Sequence, residues 1–367
     1  MNILIPNLGT TSLKYQLLSM PDETELRRGR VERVSDYGAA IASIDLGGLS
    51  VDAVAFKAVH AGPNYRGTFV VDDGVFAALT EFLPAAPAHN AIYLAGIRAF
   101  QTAMPGVPLV AAFETEFHRT MPEYAARYGV PASWHDEFGV RRYGFHGASH
   151  QYVSEQAPRI LGRDRDALRI VSCHLGGSAS VCAIRGGRSI DTTMGFSPQS
   201  GLENATRHGD LDVYAVLDVM RRRGLSIDEV TAELARDGGL AGLSGIAGGD
   251  VRDLEEAAGK GSEAAELALA VFSYGVKKAI GAYAAAMGGV DAIAFTGGIG
   301  ENSARLRDRC TDGLKFLGVR LDRDHNYNGK GDRLVSAHDS GVAVVAMATN
   351  EELVVARRAF TVLTDAR

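Results

Sequence analysis

The sequence has few cysteines, no excess of basic charge and no long apolar run. Its three cysteines, Cys173, Cys182 and Cys310, are odd in number and lack CxxC spacing, so they form neither a disulfide framework nor a cysteine-rich zinc site. This usage is typical of the reducing cytoplasm, where we place the protein. With 38 basic and 44 acidic residues the net charge is −6, which argues against nucleic acid as a partner.

Segments for export or membrane insertion are also missing from the pattern. Met1 to Pro6 lacks a basic stretch followed by a long apolar run, so we expect no signal peptide. The most apolar predicted helix, Glu266 to Met287, carries Lys277 and Lys278 in its middle. We therefore expect no membrane span and no membrane partner.

Glycine, in contrast, is abundant, with 43 residues in 367 against an average share of about 7 %. The length indicates about two domains. Asn2 to Leu18 and Leu168 to Arg185 both read as strand, tight turn, strand, and each turn contains Leu-Gly followed by small residues. We interpret this as a trace of internal duplication that gives two similar halves facing each other.

Helices and strands alternate after each hairpin, which predicts an α/β fold in two lobes. The boundary between the lobes is expected near residues 118–143. The predicted helices are 73–83, 90–104, 211–223, 262–287, 302–316 and 350–360, and the predicted later strands are 107–113, 290–296 and 341–348.

Three glycine-containing turns are candidate phosphate sites. The turns Asn7 to Ser12 and His174 to Ala179 would expose N–H groups and hydroxyls to phosphate oxygens, and Lys14 would add positive charge. Gly297 to Ser303 follows a buried strand and opens a helix, although it matches neither the GxGxxG nor the Walker A spacing. An ordinary structural turn is the alternative in each case.

Histidine, arginine and acidic residues cluster in turn-like settings. His146 and His150 have the i, i+4 spacing of zinc ligands, but the glutamate of HExxH is missing and Gly147 is expected to interrupt the helix, so we expect no zinc site. One histidine beside a phenylalanine is typical of a packed core, whereas five clusters together favour chemistry. The clusters are 59–62, 87–90, 113–118, 143–150 and 206–210.

Taken in order, these segments resemble the acetate kinases of the acetate and sugar kinase/Hsp70/actin superfamily over nearly the whole chain. The most specific are Tyr143 to His150, which reads Tyr-Gly-Phe-His-Gly-Ala-Ser-His, and Gly298 to Ser303, which reads Gly-Ile-Gly-Glu-Asn-Ser. The resemblance implies two ribonuclease-H-like lobes around a central nucleotide cleft. The first lobe would comprise 1–118 plus 353–367, and the second 119–352 with the nucleotide motif and a homodimer surface.

The resemblance also implies an acyl kinase, which reversibly transfers a phosphoryl group from ATP to a small carboxylic acid and yields an acyl phosphate and ADP. Mg²⁺ would be the metal, with Mn²⁺ as the alternative. The expected catalytic residues are Glu114, His146 and Arg207, and the acid would contact Lys57, Val59, Ala88, Phe145 and Pro198. ATP would contact Thr10, Ser12, Lys14, His174, Gly176, Gly177, Asp250, Arg252, Gly298, Ile299, Gly300 and Asn302, while Asn7 and Glu351 would hold the metal.

This chemistry agrees with the residue types. ATP and a carboxylate are both anions, so the site needs a metal ion and a fixed cation at the transferring group, for which His146 and Arg207 are the implied stabilisers. A carboxylate is already ionised near neutral pH, so no general base is required.

Several positions depart from the family pattern. Lys57 stands where the family has an arginine, and Glu114 where it has an aspartate, which would place the charge roughly 1.5 Å away unless the backbone compensates. Ala88 replaces a leucine; at ~0.8 kcal/mol per buried CH₂ this favours an acid larger than acetate. Gly177 and Ser178 replace Asn-Gly. Further departures are Leu8, Thr10 and His208, and a shortening between Leu18 and Ala53.

Two alternatives follow from these departures. One keeps the fold and the transfer but uses pyrophosphate or another phosphoryl donor. The other is a non-catalytic nucleotide-binding protein, similar to the actin and Hsp70 switches, and is favoured by Lys57, Glu114 and Gly177.

Overall fold

Two six-stranded mixed sheets form the centres of two lobes in the computed structural model, which describes residues 1–9 and 12–365 apart from the side chain of residue 88. The first sheet contains β1 (Asn2–Leu8), β2 (Ser12–Ser19), β3 (Thr24–Glu32), β4 (Ala53–Ala58), β5 (Thr68–Val70) and β6 (Leu109–Phe113). The second contains β7 (Arg169–Leu175), β8 (Ala179–Arg185), β9 (Arg188–Thr192), β10 (Ala292–Thr296), β11 (Arg333–Leu334) and β12 (Ala343–Ala346).

The two sheets have the same topology. Their strand orders are β3-β2-β1-β4-β6-β5 and β9-β8-β7-β10-β12-β11. In each, the first strand pairs antiparallel with the second and parallel with the fourth, and an edge strand adds antiparallel at the far side. The predicted two-lobed α/β fold is thus confirmed, and the matching hairpins are the same part of each lobe.

Helices cover and connect the sheets. They are α1 (Tyr37–Ala42), α2 (Asp73–Glu81), α3 (Pro87–Ala103), α4 (Glu123–Ala126), α5 (Ala132–Phe138), α6 (Gly147–Leu161), α7 (Val213–Arg223), α8 (Ile227–Arg236), α9 (Gly239–Ser244), α10 (Val251–Gly259), α11 (Glu263–Met287), α12 (Gly297–Asn302), α13 (Ala304–Thr311), α14 (Arg323–Asn328) and α15 (Glu351–Asp365). Within 1–9 and 12–365, no helix is both long and apolar enough to cross a membrane.

Successive side chains of β1 point to opposite faces of the first sheet and enter two different cores. Leu4 and Leu8 of β1 belong to the core beneath α3, while Ile3 and Ile5 face the opposite way and pack with α15. The C-terminal helix α15 therefore returns to the first lobe. These contacts support the proposed division into 1–118 plus 353–367 and 119–352, whose boundaries remain a prediction.

Two local expectations were wrong. Gly147 does not interrupt a helix, because α6 begins at this residue. The helix expected over 302–316 is shorter: α13 ends at Thr311, and Gly313 adopts a left-handed φ of 79° before a separate 3₁₀ turn over Leu314–Leu317. Only glycine adopts this φ at little cost, so the α-helix cannot pass through it.

The end of β6 contacts the start of α6 where the lobes meet, although α4 and α5 separate the two elements along the chain. The Gly147 N–H donates to the carbonyl oxygen of Glu114 at 3.1 Å, and a Cβ atom at position 147 would stand closer than 3.0 Å to that oxygen. Since Glu114 directly follows β6 and His146 directly precedes α6, this contact holds the two residues side by side.

Replacing Gly147 by alanine is expected to lower the free energy of unfolding by about 3 kcal/mol, because the new methyl group must push α6 away from Glu114. Denaturant unfolding measures the change. Gly281→Ala is the matched control, since its Cβ would meet no atom within 4 Å inside α11, and we expect it to be neutral or slightly stabilising. Equal stabilities of the two variants would contradict the account of the junction.

Candidate active site

Two cavities adjoin in the cleft and share Gly176 and Gly177 of the second hairpin turn. The interlobe cavity, of about 300 Å³, has walls from both lobes. The second-lobe cavity, of about 550 Å³, lies beside it. Predicted site residues in the interlobe cavity are Asn7, Lys57, Val59, Glu114, Phe145, His146, His174, Pro198, Arg207 and Glu351. Those in the second-lobe cavity are Asp250, Arg252, Gly298, Ile299 and Asn302.

Lys57, Glu114 and Glu351 form a charged cluster in the interlobe cavity. They come from β4, from the end of β6 and from the start of α15. The Lys57 ammonium donates to Glu351 Oε2, and its Nζ lies 4.0 Å from Glu114 Oε1. One ammonium thus faces two carboxyl groups, and Glu114 Oε2 has no hydrogen-bond partner among the described residues.

This arrangement separates the acidities of the two carboxyl groups. Burial opposes charge on both, but Lys57 and then His174 lower the pKa of Glu351 below its usual value. Burial raises the pKa of Glu114 to about 7, since the more distant Lys57 offsets it only in part and Glu351 adds repulsion. Although burial disfavours its charge, Lys57 has a raised pKa because of Glu351 and Glu114, so it stays an ammonium.

Arg207 lies on a loop that packs against the second hairpin turn. Its Nη1 donates to the Pro198 carbonyl at 2.6 Å, and its own carbonyl accepts from Asn204 N–H at 3.0 Å. Gly239, at φ 60°, is required below the loop, because a Cβ there would stand closer than 3.0 Å to the Asn204 carbonyl. Burial lowers the pKa of Arg207 to about 10, so the guanidinium remains charged at neutral pH.

His146 occupies a strained backbone position at the start of α6. Its φ of 56° is left-handed, which is uncommon for a residue other than glycine and is concentrated at functional sites. The ring Nδ1 contacts Ser180 Oγ at 2.8 Å and Nε2 contacts Ser178 Oγ at 3.0 Å. The ring also stacks on His174, with 4.2 Å between centroids.

An apolar wall closes one side of the interlobe cavity. Val59, Ile92, Phe145 and Pro198 supply it, and Tyr93 lies beside them. Neither Ile92 nor Tyr93 was predicted from the sequence, because only the packing of α3 against the cleft brings them to the site. The Ala88 side chain lies outside the described residues.

The main chain of several glycines is accessible in the second-lobe cavity. A Cβ atom at Gly177 or Gly298 would meet no atom of residues 1–9 and 12–365 within 4 Å, so both glycines leave room for a ligand to approach the main chain. Gly297, at φ 76°, turns β10 into α12, and a Cβ there would lie 2.6 Å from the Leu175 carbonyl. The expected strand, glycine turn and helix are thus all present.

Three of the predicted nucleotide contacts that the structure describes, Ser12, Lys14 and Gly300, line neither cavity. Lys14 is exposed and lines a further cavity with Arg28 and Arg30, and this cavity shares Asn7 with the interlobe cavity. Ser12 closes the first turn, where its carbonyl accepts from Gly9 N–H at 2.8 Å. Gly300 is buried, and its carbonyl accepts from Arg307. Thr10 lies outside the described residues.

Asn7 and Glu351 suit the expected metal. Mg²⁺ prefers oxygen ligands, keeps several waters and is held by one or two carboxylates together with substrate phosphates. Within the described ranges no cluster of His, Cys, Asp and Glu could hold a metal by itself. The amide and carboxylate oxygens beside the unpartnered Glu114 Oε2 fit an ion that arrives with phosphates.

Acid is expected to destabilise the fold steeply. Burial lowers the pKa of six histidines, to about 3 for His60 and about 4 for His89 and His118, and also for His146, His150 and His174. Each folded-state pKa lies below the unfolded value near 6.5, so the unfolded chain binds more protons and stability is lost as the pH falls below about 6.5.

The loss approaches about 1.4 kcal/mol per pH unit for each histidine that is protonated only on unfolding. Thermal unfolding midpoints between pH 8 and 5 measure this loss. Replacing His60 by Gln should make the free energy of unfolding depend less steeply on pH, because one proton fewer is taken up on unfolding. A midpoint that does not change over this range would show that the histidines are protonated in the folded state.

Both the sequence and the fold match known proteins. The sequence model of the acetokinase family matches residues 41–357. A curated relative named acetate kinase, from Caldanaerobacter subterraneus subsp. tengcongensis, is 42% identical over an alignment that covers 97% of this chain and 98% of the relative.

Solved structures agree with the sequence match. The crystal structure of Porphyromonas gingivalis acetate kinase superposes with a TM-score of 0.88 at 35% identity and covers 99% of both chains. A propionate kinase from Francisella tularensis subsp. tularensis superposes with a TM-score of 0.89 at 31% identity and covers 97% of this chain and 98% of its own. The chain belongs to the acetokinase family.

Proposed function

We propose that the chain transfers the γ-phosphoryl group of ATP, with Mg²⁺, to a small carboxylic acid, and catalyses the reverse reaction from acyl phosphate and ADP. The family makes it a carboxyl-group phosphotransferase. The donor, the acid and the role of each residue are our proposal. The observation that supports it best is the turn Gly176 and Gly177, which connects a cavity of nucleotide size to the cavity that holds Lys57 and Arg207.

The second-lobe cavity would hold the nucleoside. Leu240 and Ile299 offer apolar surface, and Asp250 and Arg252, which pair at 2.6 Å, offer polar atoms at its edge. The polyphosphate would then cross the open backbone at Gly177. Pyrophosphate would leave this cavity unused, so the geometry favours a nucleotide as donor.

Positioning and charge would drive the transfer. Arg207 stays cationic, and the Pro198 carbonyl fixes only part of its guanidinium, so other N–H groups remain for phosphoryl oxygens. His146, fixed by its stacking and its serine contacts, would donate a neutral hydrogen bond beside Arg207. The acid needs no base, since it is ionised before it binds.

Lys57 would hold the incoming carboxylate. An ammonium has three N–H donors, of which Glu351 takes one and Glu114 lies near a second. Because Glu114 is partly protonated near pH 7, it would repel the incoming acid less than a full charge would. Asn7 and Glu351 would hold Mg²⁺, which, when bound, supplies positive charge to the phosphate oxygens.

The acid would be larger than acetate. Position 88 is an alanine where the family pattern has leucine, and Val59, Ile92, Phe145 and Pro198 form an apolar wall. Each additional buried CH₂ would contribute ~0.8 kcal/mol to the preference for a longer acid.

We also propose a cytoplasmic homodimer. The start of α7 exposes apolar side chains, with 61% of Val213 and 77% of Tyr214 accessible, and Ile227 at the start of α8 is 74% accessible. Apolar surface of this kind is typical of an interface between subunits.

Hydroxamate trapping of acyl phosphate tests the reaction. We expect product with MgATP and acids of two to five carbons, and a higher kcat/KM for an acid longer than acetate. Replacing Arg207 by Ala should lower kcat about 10³-fold, because it removes the fixed cation at the transferring group. Arg236→Ala, which alters an exposed arginine on α8, is the control.

Three other outcomes would contradict this proposal in different ways. Product with pyrophosphate but not ATP would change the donor. Tight ATP binding without acyl phosphate or ADP would indicate a non-catalytic protein. A preference for acetate would overturn the argument from position 88.

A double-mutant cycle tests whether Lys57 and Glu114 compensate each other. Lys57→Arg lengthens one side chain and Glu114→Asp shortens the other, so each alone should lower kcat/KM about tenfold. The double variant should be more active than the product of both losses, with a coupling of about 1 kcal/mol. Lys260→Arg, in an exposed pair with Glu256, is the control. Additive losses would mean that the two positions changed independently.

A further inference from the structure

A continuous chain of serines and histidines runs from the interlobe cavity into the core of the second lobe. Behind His146, whose Nδ1 contacts Ser180 Oγ at 2.8 Å, the same hydroxyl contacts His150 Nε2 at 2.8 Å. His150 Nδ1 in turn contacts Ser172 Oγ at 2.8 Å. Ser172, Ser180 and His150 are fully buried, so bulk solvent does not reach them.

This hydrogen-bonded chain of Ser172, His150, Ser180 and His146 restricts where its protons can lie. A neutral imidazole has one donor and one acceptor nitrogen, and a hydroxyl has a single proton to donate. The Ser180 hydroxyl meets two ring nitrogens, so it donates to one and must accept from the other. Burial, reinforced by His118 and His174, lowers the pKa of His150 far below its usual value and keeps its ring neutral. Only two directions of donation along the whole chain are therefore consistent.

In the outward direction, the Ser172 hydroxyl donates to His150 Nδ1, His150 Nε2–H donates to Ser180, and the Ser180 hydroxyl donates to His146 Nδ1. His146 then carries its proton on Nε2, the nitrogen that contacts Ser178 Oγ at the cavity wall. Every hydroxyl and imidazole proton of this chain up to His146 Nε2 has an acceptor.

In the inward direction, His146 Nδ1–H donates to Ser180, and the Ser172 hydroxyl becomes the last group of the chain. His150 is the one partner of Ser172 Oγ within residues 1–9 and 12–365, so the Ser172 proton would be buried without an acceptor. An unsatisfied buried donor costs about 1–3 kcal/mol, a factor of roughly 5 to 150 in population. The outward direction is favoured for this reason.

We propose that Ser172, His150 and Ser180 are positioning residues that fix His146 as its Nε2–H tautomer, so that the ring presents a donor to the interlobe cavity. The role of that donor toward a phosphoryl oxygen rests on the proposed function, whereas the tautomer itself does not. The left-handed backbone of His146 and its stacking on His174 keep the ring at the end of the chain.

Nitrogen-15 NMR of histidine-labelled protein without nucleotide at pH 7.5 tests the tautomer directly. Long-range proton–nitrogen correlations identify which ring nitrogen is protonated, and the signals lost in a His146→Gln variant identify His146. We expect a protonated Nε2 and an unprotonated Nδ1. A proton on Nδ1 would overturn the proposal, whatever the activity of the enzyme.

Ser172→Ala tests the origin of the tautomer. Without the inner hydroxyl the two directions lose their difference, so we expect a mixture of tautomers at His146 and a kcat about tenfold lower, with KM for ATP and acid changed less than twofold. Ser154→Ala is the control, because Ser154 is equally buried on α6 but donates to the Gln151 carbonyl outside the chain.

An unchanged His146 tautomer in folded Ser172→Ala protein would refute the role of Ser172. Failure of the proposed function would look different: the wild-type protein would make no acyl phosphate, while the Nε2–H tautomer and its dependence on Ser172 would still be observed.

Discussion

The hydrogen bond from Gly147 N–H to the Glu114 carbonyl is the contact on which the site most depends. It joins the end of β6 in the first sheet to the start of α6 beside the second. No other residue type fits at position 147, because any side chain would collide with that carbonyl. Glu114 and His146 lie on either side of this contact. The carboxyl group of one lobe and the imidazole ring of the other are therefore held close together, although the two residues are distant in sequence. The relative position of Glu114 and His146 therefore follows from backbone packing.

The duplicated topology explains why the cavity gathers so many functional groups. The first hairpin of each sheet contributes residues to the cleft. Helix α15, which has Glu351 at its start, returns from the second sheet to pack on the first. Lys57 then faces two carboxyl groups while Arg207 approaches from the opposite lobe. The polyphosphate and the carboxylate that we propose as ligands of this cavity would need cations from several directions. Here the cations come from two lobes, and the negative groups that hold Lys57 also suit a metal ion.

The sequence predicted the fold class, both hairpins and the glycine turn after β10, because glycines at turns and buried alternating strands leave a local pattern. It did not predict β3, since the charged and exposed residues of Thr24–Glu32 show no apolar alternation and are specified by pairing with β2. Strand alternation buries Leu13 and Tyr15 and leaves Lys14 exposed in a cavity that Asn7 also lines, so its expected contact with phosphate stays a prediction. Tyr93 and the serines behind His146 become neighbours of the site only through tertiary packing, which composition and spacing do not reveal.

The most direct measurement is a crystal structure of the protein with MgADP, aluminium fluoride and a short carboxylic acid, which together imitate the transferring phosphoryl group and its two partners. We expect the planar fluoride group beside Gly177, in line between ADP and a carboxylate oxygen, with Arg207 and His146 Nε2 in contact with its fluorine atoms. A fluoride group bound away from Arg207 and His146, or an acid that is not in line with it, would contradict the account.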